Sequence, residues 1–329
     1  MKTNYIYQGD ALEVLKTFPD ESVNCCITSP PYFGLRSYGT DDIEWPDGWS
    51  GSLGLEPDPS MFIKHLMMIF REVRRVLKRD GSIWIVISDS YCSSSGGARQ
   101  QNGLVGSGRK RGREKICRST SFRSDTIKVK DMIGIPWMLA FALRDDGWWL
   151  RSDIVWEKKN CMPESMSDRP TRSYEHIFLL AKSAQYYYDA DAIREPCTPE
   201  NIARAKRGRS NNHKYVNGAP GQTANTVMSD MTKSCHPNGK NKRDVWSVST
   251  KPCSEDHYAT FPPDLIAPCV LAGCPENGIV LDPFIGSGTT GLVAKNHNRR
   301  YVGIELNPEY IKMAEKRLSQ FTIFEVMYP

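Results

Sequence analysis

"VLDPFIGSGTT", residues 280–290, leaves an apolar run through Asp-Pro, crosses two glycines and ends in Thr-Thr, and its reading decides the fold. Val280 to Asp282 reads as a strand end. Pro283 closes it, since proline has no N–H to donate to a ladder. Gly286 and Gly288 let the backbone turn tightly and approach a ligand, and Thr289 opens a helix that runs to Asn296. Nineteen residues after Gly286, the strand-like "YVGIEL" (301–306) carries Glu305 at its end. Strand, glycine loop, helix and a second strand ending in an acid make up the nucleotide-binding unit of a Rossmann-type sheet, in which that acid takes ribose hydroxyls. Two glycines alone could merely end a strand; Asp282-Pro283-Phe284 before them and Glu305 after them make the unit. The third glycine of a dinucleotide fingerprint is missing, and no lysine cradles a phosphate. A ligand with a ribose but no pyrophosphate fits, and S-adenosylmethionine is one.

Outward from this unit, strands and helices alternate on both sides of an irregular middle. Tyr5-Ile6-Tyr7 reads as a strand, with a helix opening at Asp10-Ala11-Leu12 and ending by Pro19. Val23 to Ile27 is a buried strand. Asp58-Pro59 starts a helix whose apolar positions (Phe62, Leu66, Ile69, Phe70, Val73, Val76, Leu77) keep helical spacing until Gly81 stops it. Residues 82–88 are apolar on both faces, as a central strand should be. A helix from Pro136 to Arg144, strands at 150–156 and 175–181, and helices opening at Pro262-Pro263 and Pro308 complete the pattern. It predicts a doubly wound α/β sheet. Trp148 and Trp149 are expected to pack beneath the strand that follows them. His65, at helical spacing among apolar residues, reads as a packed or surface histidine.

Between the Val23–Ile27 strand and the first long helix stands "TSPPYFG", residues 28–34. Two adjacent prolines fit neither a helix interior nor a central strand, so the chain leaves the strand into a stiff elbow with Tyr32 at its tip. Taken alone, Ser-Pro-Pro-Tyr could be a strand-terminating turn.

Hydrophobic residues make up 40% of the 329 and charged residues 25%, as in an ordinary soluble domain. The N-terminus lacks the apolar region of a signal peptide, and no apolar stretch is long enough to span a bilayer, so no membrane partner is expected. The ten cysteines form no C-x-x-C pair, which argues for reduced thiols, no metal site and a cytoplasmic setting. Net charge is +5, but residues 93–130 carry +8 and 194–244 carry +6, leaving −9 for the remainder. Two basic, irregular insertions in an acidic framework suit a polyanion partner. Three Pro-Cys pairs (Cys197, Cys253, Cys269) raise the question of a nucleophilic thiol, but none follows a clear central strand.

Asp282-Pro283-Phe284-x-Gly286-Ser287-Gly288-Thr289-Thr290 together with Ser29-Pro30-Pro31-Tyr32 resembles the amino-group DNA methyltransferases, which methylate N4 of cytosine or N6 of adenine from S-adenosylmethionine. With the catalytic motif first and the cofactor loop last, the order is that of their β group. The resemblance implies a circularly permuted, Rossmann-like methyltransferase sheet with an inserted irregular target-recognition region. It divides the chain into a catalytic half (1–92, continued at 131–193), a mobile basic loop (93–130), a target-recognition region (194–250) and a cofactor-binding half (251–329). Asp10 and Ala11 are similar to the motif that meets the cofactor's adenine, and His257 and Phe261 to the motif before the cofactor loop. Phe33 and Asn307 are implied cofactor contacts as well.

The resemblance also assigns the chemistry. An exocyclic amine is a poor nucleophile because its lone pair is delocalised into the ring. The Ser29 hydroxyl and Pro30 carbonyl would accept its two hydrogens and free the lone pair for attack on the sulfonium methyl, with Pro30 and Pro31 keeping the acceptors preorganised. Tyr32 would stack on the base, which must be flipped out of the duplex. Trp156 and Lys158 lie in a segment similar to the motif beside the target base, although Trp156 also reads as core. Arg109, Lys110, Arg111, Arg113, Arg207 and Arg209 are the implied contacts to double-stranded DNA. Ser29 favours cytosine N4, with adenine N6 as runner-up; a silent DNA-binding regulator is a third reading. A homodimer and a cognate restriction endonuclease are the further partners the family suggests, in a bacterial, archaeal or phage setting.

Overall fold

The computed structural model describes residues 1–34, 42–92, 127–200, 202–203, 238–250 and 261–327, with side chains through 319. Local capping signals set its first elements. Strand β1 (Tyr5–Gln8) ends before Asp10, whose carboxylate accepts the Glu13 N–H at 3.0 Å and caps helix α1 (Ala11–Lys16). Strand β2 (Val23–Thr28) runs into the elbow, and a hairpin of β3 (Ile43–Glu44) and β4 (Ser50–Gly51) follows. Asp58 caps α2 (Pro59–Val76) through the Met61 N–H, with Pro59 in the first turn, where no N–H is needed.

The sequence reading carries α2 to Gly81, but the helix stops at Val76. Strand β5 (Leu77–Ile87) begins at once, because Leu77 already pairs with Val23 of β2. Then come α3 (Ile135–Asp145), β6 (Trp149–Glu157), β7 (Tyr174–Ala181), β8 (Val245–Ser247), α4 (Pro263–Gly273), β9 (Ile279–Asp282), α5 (Thr289–Asn296), β10 (Arg300–Glu305) and α6 (Pro308–Met327).

The described chain divides into two compact units, Met1–Tyr188 with Asp244–Pro329, and Asp189–Arg243. In the first, eight strands form one sheet in the order β1-β10-β9-β2-β5-β7-β6-β8. The first five are mutually parallel, β7 is antiparallel to both neighbours, and β8 is parallel to β6. The sheet is the doubly wound, Rossmann-like α/β fold expected. Its permutation is visible in the order: the last two strands of the chain, β9 and β10, lie between β1 and β2.

Helices α1, α2 and α3 pack side by side, as do α4, α5 and α6. Cys26, Ile83 and Ile85 of the sheet share a buried cluster with Phe62, Leu66 and Phe70 of α2. Each such side chain contributes about 1.5–3 kcal/mol on burial. Trp148 is buried as expected, but Trp149, the first residue of β6, is 49% exposed. His65 is fully buried, stacked on Trp45 (ring centroids 4.0 Å apart) and Trp49 (5.4 Å), with its ring nitrogens 2.8 Å from Glu56 and 3.1 Å from Asp47.

The second unit holds a short 3-10 turn, Asp191–Ile193, and an antiparallel bridge between Glu195 and Lys240. Glu195 also pairs with Arg243 at 3.1 Å, and Arg194 with Asp191 at 2.6 Å. This unit overlaps the region read as target recognition; Arg207 and Arg209 lie outside the described residues.

Candidate active site

Parallel strands leave their binding crevice at their carboxyl ends, and there this chain gathers its polar residues. β1 delivers Gly9 and Asp10, β2 the elbow, β5 Ser88, β9 the glycine loop and β10 Glu305. Because β7 runs the other way, its first residues, Tyr174 and Glu175, reach the same edge as the end of β6 and Lys158. All of these except Tyr174 line one cavity of about 390 Å3.

The glycine loop is held from beneath. Asp282 is completely buried and accepts hydrogen bonds from Thr28 Oγ1 (2.7 Å), Thr290 Oγ1 (2.6 Å) and the Phe284 N–H (3.0 Å). Burial pushes its carboxyl up to about 6, against the pull of those bonds. Gly286 (φ 51°) and Gly288 (φ 82°) take the left-handed conformation that the loop's turn requires. Glu305 accepts the Gly286 N–H at 3.0 Å and the Asn307 N–H at 2.8 Å, tying the loop after β9 to the end of β10. Burial raises the Glu305 carboxyl as well, and that of Asp10. Arg317 of α6 reaches back to the Ser287 carbonyl and hydroxyl and to Thr289 Oγ1, at 3.1–3.2 Å.

On the opposite wall, Ser29, Pro30, Pro31 and Tyr32 line the same cavity. The elbow is pinned beyond its tip: Ser90 Oγ donates to the Phe33 carbonyl and the Gly34 N–H to the Gly54 carbonyl, both at 2.8 Å. Glu56, which also holds His65, accepts the Gly54 N–H at 2.7 Å. Gly54 sits so close that a side-chain carbon there would stand 3.0 Å from the Tyr32 carbonyl. The Tyr32 hydroxyl donates to Glu175 at 2.6 Å, and Lys158 pairs with the other Glu175 oxygen.

Of the residues singled out from sequence, Asp10, Ala11, Ser29, Pro30, Pro31, Tyr32, Lys158, Phe261, Pro283, Phe284, Gly286, Ser287, Thr289 and Glu305 line the cavity. Phe33 does not: it is 1% exposed and packs on Phe62 at the turn that follows Tyr32. Asp282 and Thr290 brace the loop from behind, and Gly288 supplies its turn. Asn307 accepts the Glu309 N–H at the start of α6 rather than facing the cavity. Trp156 is 3% exposed and donates its indole N–H to the Val248 carbonyl at 2.9 Å, so its expected place at the base is corrected to a core position. His257, Arg109, Lys110, Arg111 and Arg113 lie outside the described residues. Glu175, read from sequence only as the start of a strand, is the cavity residue that reading missed most clearly. The thiols of Cys25, Cys26 and Cys274 are pushed up by burial, the last to about 12, and Cys269 is buried within α4, so none of these four suits nucleophilic catalysis.

Residues 23–316 match the model of the N6/N4 methyltransferases, described as DNA methylase. The chain belongs to this family of DNA methylases. It is 44% identical over 316 residues to the Type II methyltransferase M.Cfr9I of Citrobacter freundii, covering 95% of this chain and 87% of that one. It is 41% identical to M.SmaI of Serratia marcescens, covering 95% and 90%. Among solved structures it is similar to PvuII DNA methyltransferase (cytosine-N4-specific), with a TM-score of 0.59 at 18% identity over 96% of this chain and 86% of that one. This last likeness bears on the fold.

The family's cofactor, S-adenosylmethionine, fits the residues present. Among the described lining residues the acids are Asp10, Glu175 and Glu305, and the one cation, Lys158, is paired with Glu175. Such a wall favours a cationic sulfonium ligand over a polyphosphate. Asp10 and Glu305 are the acids that could hold it, and Phe284, Ile304 and Tyr310 line the same cavity and could cover its adenine. No helix among the described residues is long and apolar enough to cross a membrane.

Proposed function

We propose that this methylase is a Type II, sequence-specific DNA methyltransferase acting on cytosine N4. One observation carries the reading: the acceptors of the Ser29–Pro30 elbow and the Gly286–Glu305 cofactor wall open into the same cavity. S-adenosylmethionine supplies a methyl group activated by a positively charged sulfur. The chain itself does the rest. Ser29 Oγ and the Pro30 carbonyl accept the amine hydrogens of the flipped base and localise its lone pair. Tyr32 stacks on the ring and offsets part of the few kcal/mol that unstacking costs. Asp10 and Glu305 orient the cofactor.

Serine at the head of the elbow supports cytosine. The relatives are Type II methyltransferases, which supports a restriction–modification setting with a cognate endonuclease; a cytoplasmic place and a second copy of the chain belong to the same proposal. The basic segments 93–130 and 194–244 are assigned to the DNA backbone and to base readout, respectively.

The test is to incubate the enzyme with duplex DNA and methyl-labelled cofactor, then digest to nucleosides. Label in N4-methylcytosine is expected; label in N6-methyladenine refutes the base, and label in 5-methylcytosine refutes the mechanism. Ser29→Ala and Tyr32→Ala should lose most turnover with cofactor affinity intact. Mapping the labelled positions also yields the recognition sequence.

A further inference from the structure

We propose that Glu175 is a positioning residue of the base pocket and that, through Lys158, it sets the reading of the ring acceptors beside the methylated amine. This rests on the cytosine-N4 reading and deepens it, by naming the base edge that the pocket recognises.

Three separate strand ends build the arrangement. Tyr32 follows β2, Glu175 opens β7 and Lys158 follows β6; all three line the cavity that also holds Ser29. Glu175 is only 7% exposed. A carboxylate in such a wall is expensive to desolvate unless its oxygens are met. One oxygen takes the Tyr32 hydroxyl and the other the Lys158 ammonium. The lysine is fixed in turn, with its main-chain N–H on the Ser173 carbonyl (2.7 Å) and its ammonium 4.7 Å from the centre of the Trp156 ring. Tyr32 therefore cannot swing freely, and Lys158 stands at the phenol end of its ring.

A base stacked on Tyr32, with its amine at Ser29 and Pro30, turns its adjoining edge toward that end. An ammonium carries three N–H donors, and one is on Glu175. The other two can meet the two acceptors that cytosine presents beside its amine, N3 and O2. Adenine presents N1 there and then a C–H, so it would satisfy one donor fewer. Glu175 has a second effect. It offsets the charge of the ammonium, so the ring is read without draining the amine's lone pair further.

The experiment is a double-mutant cycle between enzyme and DNA. The substrate is the duplex identified by the mapping above, with either cytosine or 3-deazacytosine at the target; the deaza base replaces the N3 acceptor by C–H. Wild type, Lys158→Met, Lys158→Gln and Glu175→Gln are compared by kcat/KM, with S-adenosylmethionine affinity measured by calorimetry on each. Lys158→Met should fall about a hundredfold on the cytosine duplex, for the loss of two charged hydrogen bonds. It should then be indifferent to the deaza substitution, which removes one of the two and lowers the wild type about tenfold. Glu175→Gln should lower kcat on both duplexes and keep its cofactor affinity.

If the two losses multiply in both lysine variants, Lys158 does not touch the ring and the proposal fails, while the cytosine-N4 reading stands. Weakened cofactor binding in both lysine variants would place Lys158 in the cofactor subsite and also overturns it. Label in N6-methyladenine from the unmodified duplex overturns the underlying reading, and the proposal with it.

Discussion

Asp282→Asn isolates the energetics of the cofactor loop. The wild-type carboxylate is enclosed at the end of β9 with three hydrogen-bond donors, and burial still raises it from 3.8 to about 6. That displacement corresponds to about 3 kcal/mol between its protonated and ionised forms. The native state holds the proton more tightly than the unfolded chain does. The stabilisation is therefore complete below pH ~4, the unfolded value, and is lost as pH rises through about 6. At neutral pH the fold carries an ionised buried acid.

Asparagine keeps the shape and one acceptor oxygen. Its amide donates to Thr290, whose hydroxyl can turn to receive it. Equilibrium urea unfolding of both proteins between about pH 4 and 7.5 should show the variant gaining on the wild type by about 3 kcal/mol over that range. Asp10 and Glu56, also raised, are common to both proteins and cancel in the difference; Glu305 is raised in part by the Asp282 charge, and losing that part in the variant adds to its gain in the same direction. A difference that stays constant within about 0.5 kcal/mol refutes the reasoning. Since Asp282 lies behind the loop, Asp282→Asn should bind S-adenosylmethionine as wild type does. Asp282→Ala strands three buried donors and should weaken binding through the loop.

Glu305→Ala releases the Gly286 and Asn307 N–H groups together, and calorimetry should show roughly a tenfold to hundredfold loss of cofactor affinity. Trp156→Phe should cost about 1 kcal/mol in urea unfolding, for the lost bond to Val248, and leave DNA affinity in gel shifts unchanged. His65→Ala leaves buried Glu56 without its partner and should destabilise the fold by about 3–5 kcal/mol. It should also lower turnover more than cofactor binding, because Glu56 holds Gly54 against the elbow; a His65→Ala protein of full activity would contradict that link.

The elements that carry local signals were legible from the chain alone. Asp10 and Asp58 cap helices through the N–H three residues on, and the Asp282–Thr290 loop and the Ser29–Tyr32 elbow each declare a turn within a few residues. The expected end of α2 at Gly81 failed for the opposite reason. Leu77 obeys a pairing with Val23, more than fifty residues away, which overrides helical spacing. Phe33, Thr290 and Asn307 sit beside lining residues in sequence, yet packing on Phe62, a hydrogen bond to Asp282 and a bond to the Glu309 N–H turn them elsewhere.

Sequence by itself determined that this chain builds a nucleotide-binding α/β sheet with a rigid elbow at one strand end, because turns, caps and strand exits are written in neighbouring residues; its permutation was implied by the resemblance of its motif order. Only the tertiary structure decided which side chains meet. In "YEHIFLLA", Glu175 is merely the polar start of an apolar strand. It becomes a wall of the active site because β7 inserts antiparallel between β5 and β6, bringing its first residues to the edge where parallel strands end. His65 likewise takes its meaning from Asp47, Glu56 and two tryptophans outside its own helix. Strand direction and long-range packing have no local signature, and on them the lining of the cavity depends.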